Sequence, residues 1–231
     1  MTSQYYTVVC SLPRMNTQFQ IQETPISRLQ LEKRLKLLPE EQYTLALTVE
    51  SLVWTSWFKP QQSVAELRPA FQRVMDTQSV FLGDTLLWFF DLRSILAALR
   101  LRNEKRELPL NAQECWITRW NHKLLANWHE PDFGLQAIYP WLPKVAHDIA
   151  QKDTIAVEEF LLSYIWQHLA IVESGHYFDF EAIIIYLLRW NIIHYWSQFN
   201  KDYALKQINE LAQIILNKQQ KIILDDKGRV S

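Results

Sequence analysis

Scarcity of glycine constrains this chain more than any other feature, because only four of its 231 residues are glycine. Glycine provides the positive φ angles of tight turns and the close backbone approach of phosphate-binding loops. The four lie far apart, at Gly83, Gly134, Gly175 and Gly228, and neither a G-x-x-x-x-G-K nor a G-x-G-x-x-G motif occurs. The sequence therefore predicts long elements, few tight turns and no nucleotide-binding loop.

The segments between the glycines and the prolines have apolar residues at helical spacing, and most begin with a candidate N-cap. Pro39 with Glu40 and Glu41 makes a favourable first turn for one helix. Side chains that can cap an N-terminus begin five further helices: Ser63, Asp84, Asn111, Asp153 and Asp179. With a last helix from Lys201 to about Gln219, the sequence predicts seven or eight helices.

These patterns predict an all-α fold, a multi-helix bundle formed by one helical domain over residues 1–231. The hydrophobic content of 48% is enough for a sizeable core. The bundle could comprise two similar sub-lobes, over about residues 1–108 and 109–231. One segment, "YYTVVCSL", is ambiguous, because its β-branched residues suit a strand but no second strand is evident to pair with it.

Charge and cysteine content favour a cytoplasmic chain without a membrane span. The net charge of -1 offers no general attraction to nucleic acid or to anionic lipid. Cys10 and Cys115 are far apart and suit a reducing compartment, and Cys10 is expected to be a small core residue. The first residues lack the pattern of a signal peptide, and Arg189, Asn191 and His194 interrupt the longest apolar window.

Cys115, His122 and His129 form the one pattern that suggests metal ligands, because they are spaced by seven residues. Seven residues of helix rise about 10.5 Å, which is too far for one ion that binds its ligands at about 2.0–2.3 Å. No H-E-x-x-H motif occurs either. The sequence therefore predicts no metal site and no cofactor.

Glu173, His176 and Asp179 cluster at a predicted helix junction, where they could act as acid–base groups if they converge in a cleft. The favoured interpretation is a helix end, a turn and an N-cap. No G-x-S-x-G motif occurs that would supply a nucleophile. We therefore expect a protein that is not an enzyme.

The segment "RLRNEKR", residues 100–106, is locally basic and lies near Trp116 and Trp120. Arginine beside aromatic side chains can stack on nucleic-acid bases. Glu104 and Glu107 interleave with the cations, however, and such mixed runs are typical of a solvated helix end. Nucleic acid is therefore not among the expected partners.

The helix "FFDLRSILAALRLRN" combines an apolar sequence with Asp91, Arg93, Arg100 and Arg102. Asp91 and Arg93 are two residues apart and do not face each other on a helix, so each needs a partner elsewhere. We expect these four residues to lie at helix–helix or subunit contacts, and they are the candidate interaction residues. Some of them could also be ordinary surface charges.

Three segments, read in order, resemble known families. The opening "YYTVVCSLPRM" resembles the start of the DUF2764 family, bacterial proteins that tend to be encoded with V/A-type ATPase subunits. The helix "FFDLRSILAALRLRN" resembles the "D-L-x-N-I-x-x-x-L-R-x-K" helix of the V/A-type ATPase C subunit (subunit d in eukaryotes), with Ser94 in place of Asn. The segment "HYFDFEAIIIYLLRWNIIHYWSQFNKDYALKQINELA" is similar to the closing helices of DUF2764 proteins.

The resemblance implies a non-catalytic, all-helical subunit or accessory protein of a bacterial V-type ATPase, an enzyme of proton or sodium transport. A C-like subunit links the central stalk to the membrane rotor ring, so those subunits are the implied partners. ATP hydrolysis takes place on other subunits, which implies no cofactor. The implied location is the cytoplasm, peripheral to the cytoplasmic face of the inner membrane. The chain is shorter than a full C subunit, which has three helical lobes.

Two other hypotheses remain open. Ten Trp, nine Tyr and eleven Phe would suit a helical adaptor or scaffold that binds another protein through an aromatic-rich groove. An enzyme would require Glu173, His176 and Asp179 to meet around a small-molecule site.

Overall fold

A computed structural model describes residues 2–15, 18–20, 23–55, 64–106 and 116–199. These residues form nine α-helices and no strand, which confirms the predicted all-α class. The helices are α1 Thr2–Ser11, α2 Arg28–Leu35, α3 Glu40–Glu50, α4 Val64–Met75, α5 Val80–Asn103, α6 Asn121–Ala126, α7 Leu142–Ala150, α8 Thr154–Val172 and α9, residues 180–199.

Two predicted N-caps are confirmed and one is wrong. Asp153 accepts a hydrogen bond from the Ala156 amide at 3.0 Å, and Asp179 caps α9. Asp84 does not begin a helix, because Ser79 caps α5 one turn earlier by accepting from the Leu82 amide. The predicted caps Ser63 and Asn111, and the predicted helix over residues 201–219, lie outside the described residues.

The ambiguous N-terminal segment is helix α1 rather than a strand. As a helix it buries Val8 completely against the core, whereas a lone strand would have no partner for its backbone groups. The expectation that Cys10 is a core residue is wrong, because Cys10 is exposed. Two residues correspond to about 200° of helix rotation, so Cys10 lies on the face opposite Val8.

Two helices are shorter than their apolar patterns predict. Helix α3 ends at Glu50. A π-helical turn over Ser51–Thr55 follows it, and Leu52 and Val53 in this turn are buried. Of the second predicted helix, residues 116–128 are described, and they are helical only over Asn121–Ala126. The residues just before α6 are held in a non-helical conformation by contacts with α5, described below.

Helix α5 is the central element, with 13 of its 24 residues buried. A helix that is apolar on most of its circumference belongs inside a bundle. It lies antiparallel to α8, since Trp88 stacks on His168 at 3.7 Å between ring centroids and Arg100 lies near Glu158. Among the described helices, α8 alone is long and apolar enough to cross a membrane, a test that core helices also pass.

Helix α9 is tied to the N-terminal helices by buried hydrogen bonds. Trp190 Nε1 donates to the Ile26 carbonyl at 2.8 Å, and Asn191 Nδ2 donates to Glu50 Oε1 at 2.7 Å. Glu50 also accepts from Arg28, whose guanidinium group lies over the Trp190 ring. These contacts join the two proposed sub-lobes, whose separate identity remains a prediction.

Candidate functional site

Asp91 is a buried carboxylate whose hydrogen-bonding capacity is used within the chain. Its side chain is fully buried on α5, and Oδ1 accepts from Thr118 Oγ1 at 2.7 Å and from the Arg119 amide at 2.9 Å. Oδ2 accepts from Arg119 Nε, and the Arg119 Nη2 atom lies 2.7 Å away. Nearby, Ser94 Oγ donates to the Ile117 carbonyl. These bonds hold residues 117–119 in a non-helical conformation, which explains why the helix begins only at Asn121.

Arg102 also bonds within the chain. It donates to the carbonyls of Glu130 and Pro131, and its guanidinium group lies 4.4 Å from the centroid of the Phe133 ring. Burial lowers the pKa of Arg102. Asp91 and Arg102 therefore fasten the segment between α5 and α7 to α5.

Arg93 and Arg100 differ from the other two candidates. Neither forms an ion pair or a side-chain hydrogen bond with another described residue. Arg93 is half-buried, which lowers its pKa, and Arg100 is exposed. Of the four candidates, Asp91 and Arg102 thus form bonds within the described residues, whereas Arg93 and Arg100, which we call the open arginines, do not. Sequence spacing gave no sign of Arg119, the partner of Asp91, because it lies 28 residues away.

A cavity of about 560 Å³ lies between the end of α1, α8 and α9. Its apolar wall comes from side chains on all three elements: Val9, Leu12, Met15, Trp166, Ala170 and Ala182. Its polar wall contains two arginines and three other polar side chains: Arg14, Arg189, Glu173, His176 and Tyr186. Glu173 and His176, which the sequence placed at a helix junction, therefore both face a cleft.

Arg189 and Tyr186 supply buried donors to this wall. Arg189 is 8% exposed, and its guanidinium group pairs with Glu173 Oε2 at 2.6 Å and lies over Trp166. Its Nε atom and the Tyr186 hydroxyl are buried, and neither has a hydrogen-bond partner within the described residues. Burial raises the pKa of Tyr186 to about 12, so its phenol stays protonated at neutral pH.

His176 forms a dyad with Asp179. The Nδ1 atom of His176 lies 2.7 Å from Asp179 Oδ2, while Asp179 Oδ1 accepts from the Ala182 amide at 2.9 Å. The ring edge of His176 also contacts Phe81. A carboxylate that orients an imidazole is an arrangement that acid–base catalysts use. The same atoms also complete the predicted turn and N-cap, so the dyad has a structural role whether or not it has a chemical one.

His176, Asp179 and Glu181 are the described residues that come nearest to a metal-binding group, with donor atoms within 4.8 Å of one another. Both carboxylate oxygens of Asp179 are already engaged, one by His176 and one by the α9 amide. A cation would have to displace these bonds. The group therefore carries no assignment as a metal site.

The sequence profile described as protein of unknown function (DUF2764) matches residues 63–218, about two thirds of the chain. The protein belongs to the DUF2764 family. No curated protein and no solved structure matches the chain. The family match covers α4 to α9 and hence the Asp91 contacts, the His176 dyad and most of the polar cavity wall.

This DUF2764 protein also exposes large apolar side chains beside the cavity. At the junction of α8 and α9, Tyr6 on α1 contacts Phe178 at 4.9 Å between ring centroids, and Phe81 on α5 contacts His176. Three side chains between 49% and 69% exposed form what we term the junction surface: Tyr6, Tyr177 and Phe178. Nothing in the apolar periodicity distinguished them from core residues.

Proposed function

We propose that this protein is a non-catalytic, C-like subunit or accessory protein of a bacterial V/A-type ATPase. It would act between the central stalk and the membrane rotor ring, in the cytoplasm and peripheral to the inner membrane, where it would support ion transport by shape and contact. The proposal rests on the resemblance of "FFDLRSILAALRLRN" to the C-subunit helix, together with the junction surface.

The junction surface is the observation that carries a protein-binding role. Clusters of exposed large apolar side chains are uncommon on monomers and typically mark interaction sites. Tyrosine and phenylalanine are also enriched where protein partners meet. Elsewhere in the fold, the buried α5 and its Asp91 contacts would provide the rigidity that a part transmitting force between subunits requires.

Affinity purification of the tagged protein from native membranes, under conditions that preserve the rotor, tests this proposal. We expect V/A-type ATPase stalk or ring subunits to be recovered with the wild-type protein. Phe178→Ser should reduce this recovery several-fold, because Phe178 is exposed on the junction surface. Leu37→Ser is the matched control, since Leu37 is an exposed apolar residue at the end of α2. Recovery of no ATPase subunit would refute the proposal.

A second candidate is a helical adaptor that binds another protein through an aromatic groove. The cavity favours it, because Trp166, Tyr177 and Tyr186 line its wall. The same purification distinguishes the two candidates. An adaptor should recover a protein outside the ATPase, and a cavity variant outside the junction surface, such as Met15→Ser, should release it.

A further inference from the structure

The cavity between α1, α8 and α9 holds more hydrogen-bond donors than acceptors. Arg189 Nε and the Tyr186 hydroxyl are buried without partners, and Arg14 forms no ion pair or hydrogen bond with another described residue. The acceptor Glu173 is already bonded to Arg189. Buried donors are nearly always satisfied in folded proteins, so the two buried donors without partners, beside the exposed Arg14, indicate a missing acceptor.

The charge of the cavity wall indicates that this acceptor is a monoanion. Two lining residues, Arg14 and Arg189, are cations, whereas Glu173 is the only acid among the lining residues. Counting the arginines and Glu173, the wall has one positive charge in excess. The planar forks of arginine match carboxylate geometry, with two parallel hydrogen bonds.

Apolar side chains also line the cavity and disfavour a strongly hydrated ligand. Trp166, Leu12 and Met15 are the largest of them. These side chains favour a ligand with an apolar body beside its charged group, since small-molecule sites combine apolar and aromatic lining with a few convergent polar groups. A multiply charged phosphate would lose much of its hydration there without enough cations to compensate.

We propose that this cavity binds an apolar monocarboxylate. The carboxylate accepts hydrogen bonds from Arg14, Arg189 and Tyr186, and the apolar body lies against Trp166 and its neighbours. Two sources have this chemistry: a free small carboxylic acid, and the C-terminal carboxylate of a peptide that ends in an apolar residue. The proposal does not depend on the ATPase assignment, because it rests on the polar lining of the cavity, although the cavity and the junction surface share Tyr177.

Calorimetric titration of the full chain with 4-phenylbutyrate tests the proposal. We expect saturable binding, and affinity at least about ten-fold lower for 4-phenylbutanamide, which keeps the shape but lacks the charge. Inorganic phosphate should bind no better than the amide. Equal binding of the acid and the amide would overturn the proposal, because it would show a cavity that recognises apolar shape alone. Absence of binding by 4-phenylbutyrate and by the peptide acid described below would also overturn it.

Two variants locate the carboxylate within the chain. Arg14→Ala and Tyr186→Phe should each weaken binding of 4-phenylbutyrate by roughly three-fold or more, because each removes one donor. Arg68→Ala is the charge-matched control, since Arg68 is exposed on α4 and outside the cavity, and it should leave the affinity unchanged. Unchanged affinity in both cavity variants would contradict the assigned site.

Thermal unfolding without ligand separates a binding role from a folding role. Tyr186→Phe removes only a hydroxyl that has no partner among the described residues, so its Tm should equal or exceed that of the wild type within about 2 °C. A fall of Tm well beyond this range would show that the hydroxyl stabilises the fold, which contradicts its assignment as an open donor.

A second titration distinguishes the two sources. The peptide acetyl-Ala-Ala-Phe is compared with its C-terminal amide, at the same concentrations as 4-phenylbutyrate. Tighter binding of the peptide acid than of 4-phenylbutyrate supports a chain terminus as the ligand. Binding of 4-phenylbutyrate without binding of the peptide acid supports a free small acid.

Discussion

Two arginine–carboxylate pairs in this protein have opposite arrangements. At Asp91 the carboxylate is fully buried and Arg119 is half-exposed, whereas at Glu173 the carboxylate is half-exposed and Arg189 is buried. Every oxygen of Asp91 has donors, while Arg189 retains an unpartnered Nε beside a cavity. The first pair completes a contact between chain segments. The second leaves hydrogen-bonding capacity that a ligand can use.

Asp91→Ala should have the largest effect on stability. It leaves the Thr118 hydroxyl and the Arg119 amide without their buried acceptor, and we expect the free energy of unfolding to fall by about 3 kcal/mol. Chemical denaturation measures the change. Asp84→Ala, an exposed position on the same helix, should change stability by less than about 0.5 kcal/mol. Similar losses in the two variants would mean that the Asp91 contact is not what fastens the segment to α5.

Glu173→Ala should destabilise the protein less, by about 1–2 kcal/mol, although it removes the partner of a buried arginine. The reason is that Arg189 keeps its contact with Trp166 and lines a cavity that water can fill. Glu159→Ala, at an exposed position on α8, serves as the control in the same denaturation experiment. A loss as large as that of Asp91→Ala would contradict the difference drawn between the Asp91–Arg119 pair and the Glu173–Arg189 pair.

His168 is a titratable side chain that is partly buried where its ring stacks on Trp88. Burial lowers the pKa of His168 to about 4, while an unfolded histidine titrates near pH 6.5. As pH falls from about 6.5 to 4, the unfolded state takes up the proton first, so stability should decrease by about 1–2 kcal/mol for this partly buried ring. His168→Phe keeps a ring against Trp88 and should remove this part of the pH dependence, measured by denaturation across the range.

The control for the pH experiment is His122→Gln, at an exposed histidine of α6. It should leave the pH profile of stability as it is in the wild type. If His168→Phe and the wild type show the same slope between pH 4 and 6.5, the stacked ring is not responsible for the dependence.

Arg93→Ala and Arg100→Ala should have the smallest effects on folding. Neither side chain has an ion pair or side-chain hydrogen bond within the described residues, so we expect losses of about 0.5 kcal/mol or less. Their effect on assembly should be greater, with a several-fold lower recovery of partner subunits in the affinity purification. Parallel losses in folding and assembly would count against a partner-binding role for the two open arginines.

Local signals in the sequence predicted the helices, and long-range contacts modified them. Asp153 and Asp179 cap helices through bonds to amides three residues away, so spacing alone was sufficient to find them. The start of α5 was misplaced because Ser79 and Asp84 are both chemically able to cap, and packing of Leu82 in the core favours the earlier one. The length of helix α6 was overestimated because the bonds to Asp91 hold residues 118 and 119 in a non-helical conformation.

The candidate site was harder to predict than the fold. Arg14 and Arg189 lie 175 positions apart in sequence, and no periodicity relates them. Their shared cavity depends on how α1 packs against α8 and α9. Glu173 and His176 were noticed because they are neighbours in sequence, whereas Tyr186 looked like one more aromatic core residue. Its unpartnered hydroxyl is visible only in three dimensions.

The bond between Trp190 and Ile26 joins positions 164 residues apart. Closing so long a loop carries a high entropic cost and cannot happen before the ribosome has released residue 190. Helix α9 supplies part of the cavity lining, so early helices such as α2 and α3 can form before α9 has been synthesised, whereas the cavity cannot. Binding at the cavity would thus report that the chain has been made and folded through α9.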